Sequence, residues 1–285
     1  MLDATTASLE DLVAKLFIAR GDVKARQTRD GAYMPVRIPG TSLQEKRFEN
    51  MSRDDLKQHL AGTKTFGHYL VNTESKCKMF VFDIDLDKTG KLPTLPAENV
   101  LDEGDAKDWQ DSFTECNPRE VWRDRAHPAR SYIKTVLMLA AMRIQEKIRT
   151  RLNLPTIVTY SGNKGVHVYC FTGLRAAEQA RIPGILTLKA LNCAPANKDE
   201  IFWKLPGQNN QILTVEVFPK QDTITGDQLG NLVRLPLGRN LKNSSDPCFI
   251  VDTSGTHAPN MMVPVQDPRA ALAEVLTKLQ ALGKA

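Results

Sequence analysis

The chain has no run of about 18 apolar residues that could span a bilayer, and its opening MLDATTASLEDLV lacks the basic, apolar and small-residue succession of a secretory leader. The expectation is a cytoplasmic protein with no membrane partner. Paired cysteines are also missing. Cys77, Cys116, Cys170, Cys193 and Cys248 are odd in number and scattered without a CxxC, which argues against a disulfide framework and a conventional zinc knuckle and leaves mostly buried thiols. There is no internal repeat and no low-complexity segment. The order GxxxxGK[ST] is absent too, which argues against ATP hydrolysis of the Walker type.

What remains is the composition of an ordinary globular protein, with 41% hydrophobic and 25% charged residues over 285 positions, enough for a sizeable core. The net charge of +5 fits phosphate-bearing partners but also fits many proteins that never meet one. Placement says more: Arg119, Arg123, Arg125 and Arg130 are followed by Arg143, Lys147, Arg149 and Arg151. This basic stretch is either a nucleic-acid contact, through Arg143, Lys147, Arg149 and Arg151, or a solvated face.

Periodicity predicts helices over 8–19, with Ser8 and Asp11 at cap positions, and over SRDDLKQHLAG, with Ser52 as cap and Gly62 as stop. GDVKARQTRDGAYMPVRI alternates around a DG turn. Residues 67–86 read as two strands about a polar turn, and 88–128 as a surface insertion with one short helix. The strongest helix runs from Ala129 to Leu152. TIVTYSGNKGVHVYCF follows as strand, glycine turn and strand, and 174–194 reads as helix despite Pro183. ILTVEVFPKQD and LGNLVRLPLG supply further strands, and Pro268–Leu282 an amphipathic helix.

In FVFDIDLD, Asp83 and Asp85 are two apart on a strand and therefore project from one face. Like charges that close repel unless a cation lies between them, and all-oxygen ligands suit Mg²⁺ or Mn²⁺. A calcium loop is a poor alternative, because its sixth and twelfth positions would be Lys88 and Thr94. SGNKGVHVY places Ser161, Gly162, Lys164, Gly165 and His167 on a turn whose glycines let backbone N–H groups approach phosphate oxygens. Glu216 is an acid among apolar neighbours, which needs either a cation or a salt bridge to Lys220 or Arg234. Asn231 and Arg234 flank a short apolar strand, and arginine grips phosphate with two prongs.

The order DxD, SGxxGxH, acid-bearing strand and NLVRLP resembles the archaeo-eukaryotic primase (primase-polymerase) superfamily over most of the chain. HLAGTKTFGHYL, EVFPKQD and LGNLVRLPLG are closest to the primase-polymerase domains of CRISPR-associated and mobile conflict systems. The resemblance implies an α/β (α+β) fold in which an N-terminal α/β module (1–75) is fused to an RRM-like catalytic module (76–265, with the insertion at about 88–128). A C-terminal helix (266–285) completes a single domain with its active site in the cleft between modules. It implies template-dependent nucleotidyl transfer from NTP or dNTP to a 3′-hydroxyl. The catalytic residues would be Asp83, Asp85, Glu216 and His167, with Asp83, Asp85 and Glu216 as metal ligands. Ser161, Gly162, Lys164, Gly165, His167, Lys220, Asn231 and Arg234 would bind nucleotide. Many members carry aspartate at the third acid, so Asp222 is the alternative to Glu216. Two Mg²⁺ or Mn²⁺ ions are expected and no zinc, since the insertion, where some relatives bind zinc, offers only Cys116 and His127. Implied partners are a single-stranded DNA template, a primer strand, and helicase, nuclease or CRISPR adaptation proteins. The rival readings are a non-catalytic single-strand-binding module of the same fold and a DxD nucleotide-sugar glycosyltransferase.

Overall fold

The computed structural model describes residues 2–40, 45, 47–90, 92, 116–206, 212–243 and 246–284, so most of the expected insertion at 88–128 lies outside the described residues. The architecture is mixed α/β, with two antiparallel sheets and, among the described residues, six α-helices. The helices are α1 (Leu9–Phe17), α2 (Arg53–Leu60), α3 (Pro118–Arg123), α4 (Arg130–Leu152), α5 (Ala177–Ala190) and α6 (Pro268–Ala281).

Local chemistry explains the helix starts. Ser8 and Ser52 each accept from the backbone N–H three residues on, while Asp11 and Asp55 reach back to the cap N–H, closing two capping boxes. Asn117 and Asp267 cap α3 and α6, each with a proline in the first turn, where its missing N–H costs nothing. Helix α4 ends on Asn153 in the left-handed region.

The first sheet has the order β10-β3-β1-β2, from Leu232–Arg234, Phe66–Tyr69, Ala25–Gln27 and Tyr33–Pro35. The second is β11-β5-β6-β4-β9-β8-β7, from Phe249–Ile250, Thr156–Tyr160, Gly165–Ala176, Lys76–Leu86, Leu213–Phe218, Phe202–Lys204 and Ala194–Pro195. Strands β3 and β4, neighbours in sequence across a polar turn, therefore belong to different sheets. Strand β10 returns from late in the chain to pair with β3, so the chain after residue 76 builds part of both sheets.

Strand β4 lies at the centre of the larger sheet and is apolar on both faces for most of its length. Phe80, Phe82, Ile84 and Leu86 pack on one face with Ile133, Leu137 and Ile144 of α4. Met79 and Val81 pack on the other, in a cluster that holds Leu12 and Phe17 of α1 and Leu272 and Leu276 of α6. Each such side chain contributes about 1.5–3 kcal/mol on burial. Asp83 and Asp85 continue the Met79–Val81 row beyond this cluster, so the same alternation that fills the core aims both carboxylates at one side.

Candidate active site

Cross-strand register assembles the site. Asp83 of β4 is directly opposite His167 of β6 on one side and Glu216 of β9 on the other. Directly paired residues of an antiparallel sheet share a face, so His167, Asp83 and Glu216 form one row. Asp85 lies two residues along, opposite Gly165 and Thr214. A Cβ at Gly165 would collide with the Asp85 carboxylate and sit 2.5 Å from the Ile84 carbonyl, which is why that position has no side chain.

Basic side chains surround the acids. His167 Nε2 is 3.4 Å from Asp83 Oδ1, Lys164 Nζ contacts Asp85 Oδ2, and Lys220 Nζ is 2.6 Å from Glu216 Oε2. Burial pushes the Asp83 carboxyl up, but His167, with smaller help from Lys164 and Lys220, outweighs it and holds the pKa below the usual carboxylate value. Asp85 goes the other way: burial and the neighbouring Asp83 charge raise it, more than Lys164 offsets. A second carboxylate that resists ionising beside the first is the electrostatic setting a divalent cation relieves, and its donors are the oxygens that hard cations take. Among the described residues no three His, Cys, Asp or Glu side chains converge at metal-binding distance, and Glu216 is ion-paired to Lys220. The pair Asp83 and Asp85 thus fits a cation, with Glu216 one strand away.

The turn 161–164 is held from both ends. The Ser161 carbonyl accepts from Arg234 Nη1 (3.0 Å), Asn240 Nδ2 (3.2 Å) and Cys248 Sγ (3.3 Å). The Asn163 carbonyl accepts from Tyr160 Oη at 2.8 Å and from Trp122 Nε1. Gly162 has φ of +70°, and a Cβ there would lie 2.9 Å from both the Asp246 carbonyl and Cys248 Sγ. Such a cross-braced turn keeps its geometry without a ligand's help.

Asp83, Asp85, Ser161, Asn163, Lys164 and His167 line a pocket of about 200 Å³ together with Tyr33, Leu232, Val233 and Arg234 of the smaller sheet. The sequence-predicted residues therefore converge from three separate segments. Others stand apart. Lys220 pairs with Glu216 outside the pocket lining, and Asp222 is ion-paired to Arg181 at 2.8 Å. Asn231 is also not in the lining; its backbone N–H donates to Gln221 and its buried Oδ1 has no hydrogen-bond partner among the described residues. Helix α4 packs on the opposite face of the larger sheet from Asp83. Arg143, Lys147 and Arg149 line a separate groove of about 940 Å³ near the β5–β11 edge, mixed with Glu146, Asp252 and Glu274. Arg149 is paired with Glu146 at 2.8 Å, and Arg151 is exposed.

Among the site residues that the sequence reading did not single out are Tyr33, Tyr169 and Asn240. Tyr33 reaches the pocket from β2, its hydroxyl buried and its ring 5.8 Å from the Arg234 guanidinium. Tyr169 Oη donates to the Arg234 carbonyl at 2.7 Å and lies 3.3 Å from His167 Nδ1, linking the two. Asn240 bridges Gln27 to the Ser161 carbonyl. Only Tyr169 had a readable signal, its spacing of two from His167 on the same strand face.

Residues 11–275 match the family model described as TOTE conflict system, Archaeo-Eukaryotic Primase domain. No curated protein matches the chain.

Proposed function

Given that the chain belongs to the archaeo-eukaryotic primase domain family of TOTE conflict systems, whose members are in general nucleotidyltransferases, we propose that it is a DNA primase-polymerase. It transfers a nucleotide from NTP or dNTP to a 3′-hydroxyl on a single-stranded DNA template, in primer synthesis and extension. The observation that carries this reading is the register that sets His167, Asp83 and Glu216 in one row, with Asp85 beside them and the braced turn 161–164 along the same pocket. In this reading the two sheets are the two modules, the larger one RRM-like, and the pocket is the cleft between them.

Asp83 and Asp85 would hold Mg²⁺ or Mn²⁺, with Glu216 as third ligand. Divalent ions there supply the lowered pKa of the attacking hydroxyl and the charge stabilisation of the departing pyrophosphate. The chain's own residues do the rest. The turn presents backbone N–H groups and Lys164 to phosphate oxygens, His167 donates from the side of Asp83, and Arg234 places positive charge behind the turn. Lys164 and Lys220 neutralise Asp85 and Glu216. Asp222 is less suited as third acid, since it lies beyond β9, off the row that Glu216 shares with Asp83.

Incubation with template, Mn²⁺ or Mg²⁺ and labelled nucleotides, with and without primer, tests the proposal. Template-dependent incorporation supports it. Strand binding without incorporation would favour a non-catalytic module of the same fold, and turnover of a nucleotide-sugar without template would favour a glycosyltransferase.

A further inference from the structure

We propose that the ring of Phe202 is a stacking platform for a base of the single strand on which the site acts; this rests on the reading of the site as a nucleotidyl-transfer centre. Phe202 pairs directly with Glu216, which pairs with Asp83, which pairs with His167. The row of the site therefore runs on to Phe202 without changing face. Two strand spacings separate Phe202 from Asp83, about 10 Å.

The ring is partly exposed, Phe202 being 37% exposed with the Lys220 ammonium over the ring, whereas Trp203, next along the strand and facing the other way, is wholly buried. Its backbone is held. The side chain of Asn197 accepts from the N–H groups of Ile201 and Phe202, each at 3.0 Å, and Trp203 anchors the strand from beneath. A rigid aromatic with two rotatable bonds loses little entropy when a base settles on it.

Positive charge is set at the right place. Lys220 Nζ lies 5.0 Å from the Phe202 ring centroid and 4.7 Å from that of Phe218, and it reaches Glu216 at 2.6 Å. An ammonium between an exposed ring and the row of acids matches a nucleotide, whose base would lie on the ring and whose backbone phosphate would meet the lysine. Single apolar side chains on a surface ordinarily need no explanation. This one stands at the end of the row that carries the site's acids.

The test is equilibrium binding of a single-stranded oligonucleotide containing 2-aminopurine, over a series of salt concentrations, by the parent chain and by F202A, F202L, F202W and K220A. Melting temperatures are checked for each, and nucleotide incorporation by the parent is measured alongside. F202A and F202L should weaken binding roughly 5- to 100-fold and relieve the quenching of the fluorescent base, while F202W restores both. Because no charge is lost, the salt slope of the Phe202 variants should equal the parent's, whereas K220A should reduce it by about one. Binding by F202A within about two-fold of the parent would overturn the proposal. So would full binding by F202L, which keeps apolar cover without a ring, or a slope altered as in K220A, which would leave Phe202 only as a support for Lys220. A parent chain that binds no single strand overturns it as well. A parent that binds and quenches but incorporates nothing defeats the functional reading and leaves the Phe202 comparison intact.

Discussion

Replacing Gly165 by alanine probes how closely the sheet is built around the acids. The added Cβ would stand 2.5 Å from the Ile84 carbonyl and 3.2 Å from Asp85 Cγ, and closer still to Asp85 Oδ1. The carboxylate can rotate away; the backbone carbonyl cannot, so β4 and β6 must part locally. Overpacking of this kind costs about 1–3 kcal/mol. For a chain of this size that is a fall in melting temperature of roughly 2–10 °C. The catalytic penalty should be larger, because Asp85 is driven from its place and a misplacement of about 1 Å in a catalytic group costs on the order of 100-fold. Gly21→Ala is the control: the nearest atom to its Cβ is Ile18 Cγ2 at 3.9 Å, an ordinary contact. Thermal melts by circular dichroism and primer extension at saturating nucleotide read the two effects separately. If Gly165→Ala retains both the parent's melting temperature and its extension rate, the packing of Asp85 against β6 is not what positions the acid.

Other outcomes follow from the same geometry. Arg234→Lys should raise KM for the nucleotide more than it lowers kcat, since a lysine would lose the donor to the Ser161 carbonyl and loosen the turn; equal parameters would show that Asn240 and Cys248 hold it alone. Acid should destabilise the fold through His59. Its Nδ1 accepts from the Phe66 N–H and its Nε2 meets the Pro236 carbonyl, a neutral tautomer, and burial lowers its pKa from 6.5 to about 4. A folded-state pKa below the unfolded one means stability present above the unfolded value and lost as pH falls through the window from 6.5 to about 4. Urea titrations should show about 2 kcal/mol lost by about pH 5 from this group alone; a flat profile would mean the ring is protonated in the fold. Charge reversal at Arg143, Lys147 and Arg149 is expected to weaken template binding and lower its salt slope, and an unchanged slope would assign that helix face to solvent.

How much of this could be read beforehand depended on the range of the interactions. The capping boxes at Ser8 and Ser52, the buried stripe of α4 and the hairpin around Gly162 are local, and periodicity with cap residues suffices for them. Asp83 and Asp85 shared a face by strand alternation alone. What alternation cannot supply is register between distant strands. Nothing near Glu216 says that it faces Asp83 rather than a slipped neighbour, and nothing near Tyr33 or Asn240 says that they meet the turn at Ser161. The separation of β3 from β4 into different sheets was hidden for the same reason, since a polar turn between two strands does not tell whether they pair. Proximity in sequence did not show that α4 carries its charges on the far side of the sheet from the acids.

The most direct test of the central claim is primer extension with Mn²⁺ by the parent chain and by the double variant Asp83→Ala, Asp85→Ala, with single-strand binding measured on both. The account predicts extension by the parent, none by the variant, and similar strand affinity for the two. Extension retained by the double variant would contradict it, because nucleotidyl transfer would then proceed without the two carboxylates around which the sheet assembles its site.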